Sequence, residues 1–438
     1  MSHPIQNLRV AEDHRHLCYE DGTVFFYLAD TAWELFHKLN REEAFDYLED
    51  RAKKGFTVIQ AVALAEKDGL RRSNAYGRSP MKIGDDGKYD PALLDLEGEY
   101  SYWDHVDSIV KKAGELNLYI AMLPTWGDKF PGMRGEGPHL FTPENAYAYG
   151  EWLGRRYAGA GNIIWVMGGD RVFTTRYQME TLDAMARGIK AGDGGRYLMT
   201  LHPAGGQHSA DCVHEEEWLD FNMIQSGHTR SRYNYEMIRR DYRRLPYKPV
   251  MDGEANYEGH PESFNINNGF MDDTDVRQSA YWAVLSGACG HTYGHHSIWN
   301  FVTLPDKDKK KGYFAANWRD ALKHPGSGQM KHLRALVERV HFMEGVPAAG
   351  MVSGNMEAVN FVPVLKGRDW LIAYSAQGLM FDLELGEEWN GAQARWFNPR
   401  TGELGGGQAV QAGRIVSFFP PTAGRGSDWA LVIEKASF

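Results

Sequence analysis

Cysteine is scarce in this sequence: only Cys18, Cys212 and Cys289 occur. Three thiols cannot all pair, and their spacing is not that of a metal site, so no disulfide framework is implied. Positive charge is also thin. The formal net charge is -10, and no basic stretch is long enough to track a nucleic-acid backbone. Lys309–Lys311 follow closely on Asp306 and Asp308 and read as a solvated loop. No apolar run approaches the ~18 residues that a membrane-spanning helix needs. The segment Met1–His16 is polar and charged and lacks the apolar core of a signal peptide. Both absences point to the cytoplasm, or to secretion only if a leader has been removed. No phosphate-binding glycine fingerprint follows the first strand-like run, which argues against a doubly wound dinucleotide fold, and no cofactor is expected.

What the chain does have is aromatic residues, with 13 Trp and 22 Tyr. Most serve a large core, but flat rings with polar edges also suit sugar binding. Eight short apolar runs rich in β-branched and aromatic residues stand out: 25–29, 57–64, 119–123, 163–167, 197–201, 221–224, 249–251 and 290–293. Their continuous apolar character means burial on both faces, as in a parallel sheet. Between them lie segments of helical period. Asn40 with Glu43 resembles a capping box, and Gly55 ends that helix. Thr142 before Pro143 is a good N-cap with proline at N1. Strand–helix alternation through about eight cycles predicts a (β/α)₈ TIM barrel over residues 1–345. After Val346 the pattern changes to short alternating stretches at 358–365, 370–374, 393–397, 415–419 and 429–433, separated by turn signals. Residues 346–438 therefore read as a small antiparallel β-sandwich domain.

Barrel active sites form where strands end and βα loops begin. The eight ends carry Asp30 and Trp33, Glu66, Trp126 and Asp128, Asp170, His202, Gln225 and His228, Glu254, and finally Tyr293, His295 and Trp299. Any one of these has a bland explanation as a helix cap or a core residue. Eight such ends converging on one rim are costly unless used. Trp33, Trp126 and Trp299 can stack on a sugar, while His202, His228 and His295 can donate to hydroxyls or tune acids. Asp30 and Gln225 are expected to bind hydroxyls at the innermost subsite, and Tyr293 is expected to line it. His291, His295 and His296 lack clean ligand spacing, so no metal is expected.

Two carboxylates, Asp170 after the fourth strand and Glu254 after the seventh, face each other across the mouth. Glycosidic cleavage needs one carboxyl to protonate the leaving oxygen and a second to attack or to activate water. Their separation decides between retention and inversion of stereochemistry. Gly168, Gly169 and Gly253 let the backbone expose each acid. Asp170 has the alternative of capping the next helix, and Glu254 that of a structural ion pair.

The stretches Phe26–Trp33, Asn162–Asp170 and Asp252-Gly253-Glu254 with Tyr257-Glu258 resemble the apiosidase-like glycoside hydrolases. In the tail, Trp396–Gly402, Pro420-Pro421 and Asp428-Trp429 resemble the small β domain that follows the barrel in that family. The resemblance covers nearly the whole chain. It implies a glycoside hydrolase acting on carbohydrate, with Asp170 as acid/base and Glu254 as nucleophile. The wider clan carries Asn-Glu at the fourth strand where this chain has Gly169-Asp170. Aspartate is one methylene shorter, so the scissile bond must sit deeper or lean toward that strand. The implied substrate type is a β-linked apiose, a branched furanose. The missing secretion signal departs from polysaccharide-degrading relatives and suggests exo action on a small imported glycoside. The competing readings are an endo-acting glucanase or mannanase and a non-catalytic carbohydrate-binding barrel.

Overall fold

The structure is a computed structural model describing residues 4–67, 69–303, 313–413 and 415–435. Lys309–Lys311 lie outside the described residues. Eight parallel strands form the central sheet: β1 (Tyr27–Thr31), β2 (Val58–Val62), β3 (Tyr119–Leu123), β4 (Ile163–Gly168), β5 (Met199–His202), β6 (Asn222–Ile224), β7 (Val250–Asp252) and β8 (Gly290–His295). Each coincides with an expected run to within two residues. They pair in the cyclic order β5-β4-β3-β2-β1-β8-β7-β6. Between β5 and β6 the regular ladder is missing. That seam is closed by Asp220 N donating to Met199 O at 2.8 Å and Thr200 Oγ1 donating to Phe221 O at 2.6 Å. Above it, the chain after β5 doubles back along β6: Ser209 N donates to Met223 O, and Gly206 N to Gln225 O.

The helices surround this sheet. α1 (Arg41–Lys53) starts with the expected Asn40–Glu43 capping box. α2 (Tyr102–Glu115) is capped by Ser101, and α3 (Pro143–Tyr157) by Thr142 with proline in its first turn. α4 (Arg176–Asp193) stops at Gly194, whose φ of 71° only glycine adopts without cost. α5 (Asn234–Tyr242), α6 (Asp273–Leu285) and α7 (Pro325–Arg339) complete the set. Side chains alternate along each strand. Tyr27, Ala29, Val58, Val62, Ile164 and Val166 fill the barrel interior, whereas Leu28, Ile59, Trp165 and Met167 face the helices.

Several short elements were not anticipated. The chain begins with a three-stranded antiparallel sheet (Leu8–Val10, Leu17–Tyr19, Val24–Phe25). A hairpin, Met81–Ile83 with Tyr89–Leu94, rises from the loop after β2. Beyond the barrel lie two antiparallel sheets, one six-stranded and one three-stranded, with Val364, Leu371, Leu383, Trp389 and Leu431 between them. The expected strand over 358–365 is corrected. Ala358–Asn360 forms a 3₁₀ turn with Ala358 at φ 58°, and only Val364–Lys366 pairs. The strand Phe381–Glu384 takes its place in the sandwich. The strand Trp370–Ser375 turns Leu371 and Ala373 into the sandwich core. Its opposite face stacks Tyr374 on Tyr281 of α6, with ring centroids 4.8 Å apart. Beside this contact, buried Arg277 of α6 binds Asp428 through two nitrogens at 2.9 and 3.1 Å. The C-terminal sheets are thereby anchored to the helical shell.

Candidate active site

A cavity of about 610 Å³ opens at the C-terminal ends of the strands, the face on which barrel enzymes place their chemistry. Asp170 and Glu254 both line it, with Trp33, Trp126, Gln225, His228 and Trp299. The local backbone aims the acids. Gly168 and Gly169 have φ of 84° and 116°, and Asp170 follows at 51°. A β-carbon on Gly168 would meet His202 O at 2.7 Å, and one on Gly169 would meet Gly127 N at 2.8 Å. Three successive left-handed residues, the last of them not glycine, mark a turn whose strain the surroundings must hold. Gly253 serves a different need. Its φ is not in the left-handed range, but a β-carbon there would lie 2.2 Å from Met223 Sδ.

Glu254 is buried, with 8% of its side chain exposed, and three residues converge on it. Gln225 Nε2 donates to Oε2 at 3.0 Å. His202 Nε2 lies 3.1 Å from Oε2 in a bent approach, and His228 Nε2 lies 3.3 Å from Oε1. The other nitrogen of His202 accepts from Asp170 N–H at 3.3 Å, which leaves Nε2 as the ring's donor, facing Glu254. Burial would push the Glu254 carboxyl up. The hydrogen bonds and charge of His202 and His228 outweigh it and hold the carboxyl well below its usual range.

Asp170 goes the other way. Its side chain keeps 37% of its surface open but is recessed in the cavity. Desolvation, then the charge of Glu254, raises its carboxyl above the usual range; His202, Arg171 and Gln225 partly oppose this. Two ionised carboxylates within a few ångströms repel by up to about 4 kcal/mol in a half-buried site. With Glu254 held low, Asp170 is the one of the pair that holds its proton to higher pH. A pair of carboxyls driven apart in this way can act as one acid and one nucleophile or base.

Three expected site residues lie elsewhere, for one reason. Asp30 shares the strand parity of Leu28 and points to the helices, where Tyr47 Oη donates to it at 2.6 Å and Arg51 pairs with it. Tyr293 and His295 likewise face outward on β8. Tyr293 Oη donates to Glu258 at 2.6 Å, and His295 Nε2 meets His324 Nδ1 at 3.0 Å. His202 lies beneath the two acids, in contact with both, rather than on the cavity wall. Wall residues that the sequence reading passed over are Lys67, Arg232, Tyr257, His260, Phe264, His296 and Phe314. His260 packs 4.5 Å from both His228 and His296, centroid to centroid. Its proximity in sequence to Glu254 was the available signal. Among the described residues, no group of three His, Cys, Asp or Glu side chains could hold a metal ion. No helix among them is long and apolar enough to cross a membrane.

Next to Trp33 lies Glu34, buried with neither carboxyl oxygen partnered among the described residues. Burial pushes it up to about 8; Lys38 opposes this and Glu66 adds to it. Its folded value is therefore above the ~4.3 of an unfolded chain. The stability it contributes is present at low pH and is lost as pH rises toward 8. Glu34→Gln is expected to melt above wild type at pH 8.5 and close to it at pH 5. Equal melting temperatures at both pH values would contradict this account.

Residues 11–344 match the model of the apiosidase-like catalytic domain. The chain belongs to the apiosidase-like family. Residues 346–434 match the model of a collagen-binding-like domain of a collagenase. Among solved structures, a glycoside hydrolase is 32% identical, with a TM-score of 0.89, over 100% of this chain and 99% of that one. A glycoside hydrolase family 5 protein from Bacteroides vulgatus is 31% identical, with a TM-score of 0.88, over 99% of this chain and 95% of its own. An endo-1,4-β-D-mannanase from Thermotoga petrophila shares the fold at 14% identity and a TM-score of 0.51, covering 71% of this chain and 100% of that one. No curated protein sequence matches the chain. The protein is a glycoside hydrolase whose TIM barrel is followed by C-terminal antiparallel sheets.

Proposed function

We propose that the enzyme hydrolyses a small glycoside, an apioside-like furanoside, from its end and with retention of stereochemistry. In this scheme Glu254 attacks the anomeric carbon while Asp170 protonates the leaving oxygen. A covalent glycosyl–Glu254 intermediate forms and the aglycone departs. Asp170, now ionised, takes a proton from water, whose oxygen displaces Glu254 from the sugar. The catalytic unit is residues 1–345.

The observation that carries this reading is the shared partners of the two acids. Gln225 donates to Glu254 and also lies within hydrogen-bonding reach of Asp170. His202 touches Asp170 N with one ring nitrogen and Glu254 with the other. His202 reaches the backbone of Asp170 and not its carboxyl, so the bridge between the carboxyls is Gln225; a single amide near both favours the narrow carboxyl spacing of retaining enzymes, ~5–5.5 Å, over the wider gap that seats a water. A cavity of about 610 Å³ is of small-molecule size, which supports exo action over an open cleft for long chains.

The test is a screen of aryl glycosides, furanosides included, with the first-formed product followed by NMR. The same anomer as the substrate is expected at early times, before mutarotation. The opposite anomer would overturn the assignment of Glu254 as nucleophile and make it a base.

A further inference from the structure

Among the described residues, three carboxyls line the cavity, and the scheme above uses two. The third is Glu66, at the end of the segment following β2. Its carboxyl has no hydrogen bond or ion pair among the described residues. The charged groups around it are Lys67, Asp128, Asp170, Arg171 and Glu34, and most are engaged elsewhere. Lys67, with φ of 37°, is turned onto Trp299, its Nζ 4.7 Å from the ring centre. Asp128 accepts from Lys129 Nζ at 2.8 Å and from Gly137 N at 3.0 Å. Arg171 donates to Asp170 O at 2.6 Å, Asp170 Oδ2 at 3.0 Å and Arg134 O at 2.7 Å. Glu34 is buried next to Trp33. Burial pushes Glu66 up to about 7, so the folded chain carries a real cost for keeping a carboxyl here. Unpaired acids retained in a cleft of this kind are characteristic of sites completed by a ligand.

We propose that Glu66 binds two adjacent hydroxyls of the neutral sugar held between Asp170 and Glu254, and so selects which sugar enters. This rests on the glycosidase reading only in requiring that a sugar occupy the cavity. A carboxyl has two oxygens spaced to meet a vicinal diol, and either protonation state can accept from a hydroxyl. A carboxylate-bearing sugar would meet a third acid at this wall and be disfavoured. Because the hydrolase scheme already assigns both bond-making roles to Asp170 and Glu254, the contacts of Glu66 serve to orient the ring.

The experiment is a ligand-observed NMR titration of the full-length enzyme with free pentoses and hexoses and their monodeoxy analogues. Wild type is compared with Glu66→Ala, Glu66→Leu and Glu66→Gln, with thermal melts alongside. The tightest-binding sugar is expected to weaken about 10- to 100-fold in the alanine and leucine variants. The glutamine variant should recover part of the loss, and all three should melt at or above wild type. Removing the contacted hydroxyl should weaken binding to wild type but not to Glu66→Ala. Equal affinity of wild type and Glu66→Ala would overturn the proposal. So would a fall in melting temperature together with affinity in all three variants, which would make Glu66 a structural support. Wild type that binds no sugar overturns it too. Wild type that binds sugar but turns over no glycoside overturns the hydrolase scheme alone, and the Glu66 comparison still decides this proposal.

Discussion

Glu254→Ala is expected to lower kcat/KM by roughly 10⁵-fold, close to 7 kcal/mol of transition-state stabilisation. The carboxylate is the group that His202, His228 and Gln225 hold ionised and in place. The variant should keep its fold. A buried carboxylate retained for chemistry is seldom optimal for stability, and the two imidazoles and the amide left behind face a cavity that water can enter. If Glu254 were instead a structural ion-pair partner, its removal would cost about 3–5 kcal/mol of stability. Activity and melting temperature measured on the same preparation therefore separate the two roles. Added azide gives a further check. It can enter the space of the missing carboxyl and attack the anomeric carbon, releasing the aglycone from an activated aryl glycoside and leaving a glycosyl azide of inverted configuration. Residual activity above about one per cent without azide would sink the nucleophile assignment.

Asp170→Asn should give a loss that depends on the leaving group. Proton donation is worth roughly 10²–10⁴-fold when the departing oxygen is basic. It is worth little when the aglycone is a dinitrophenol that leaves as an anion. A series of aryl glycosides of rising aglycone pKa is therefore expected to fan out in the variant and stay nearly flat in wild type. The pH profile supplies the second arm. Asp170 must be protonated to act, and its carboxyl is raised by burial and by Glu254. Wild-type kcat/KM should fall as pH rises through that raised value, and this limb should vanish in Asp170→Asn. The acid limb, set by the depressed Glu254, should lie far below neutrality in both. A uniform loss across all aglycones with the alkaline limb intact would show that Asp170 is not the acid.

The barrel was legible because its signals are strong and redundant. Several strands, such as Tyr119–Leu123 and Ile163–Gly168, are continuous apolar runs, and several helices open on side-chain caps that the sequence displays, such as Asn40–Glu43 and Thr142-Pro143. That Asp170 and Glu254 would share one cavity was legible because both acids follow glycines at strand ends. Asp30, Tyr293 and His295 were misplaced because proximity to a strand end was weighed without strand parity. Counting in twos from Leu28 sends Asp30 outward, and counting in twos from His291, the register partner of Leu28, sends Tyr293 and His295 outward. The N-terminal sheet and the 81–94 hairpin pair over two to six residues, too few to leave a period. Ala358–Leu365 looked like a strand because its apolar content alternates, yet a left-handed residue at 358 breaks it before pairing can start. The wall from Tyr257 to Phe264 is built from a two-residue strand, Tyr257–Glu258, and a 3₁₀ turn, Glu262–Phe264, both too short to leave a period in the sequence.

The interrupted ladder between β5 and β6 bears on more than architecture. His202 stands on one side of that seam and Gln225 just beyond the other, and these are the two residues that reach both acids. A ligand that bound between Asp170 and Glu254 would also bear on this imidazole and amide, so its binding would add to the stability of the barrel at its unlaced edge.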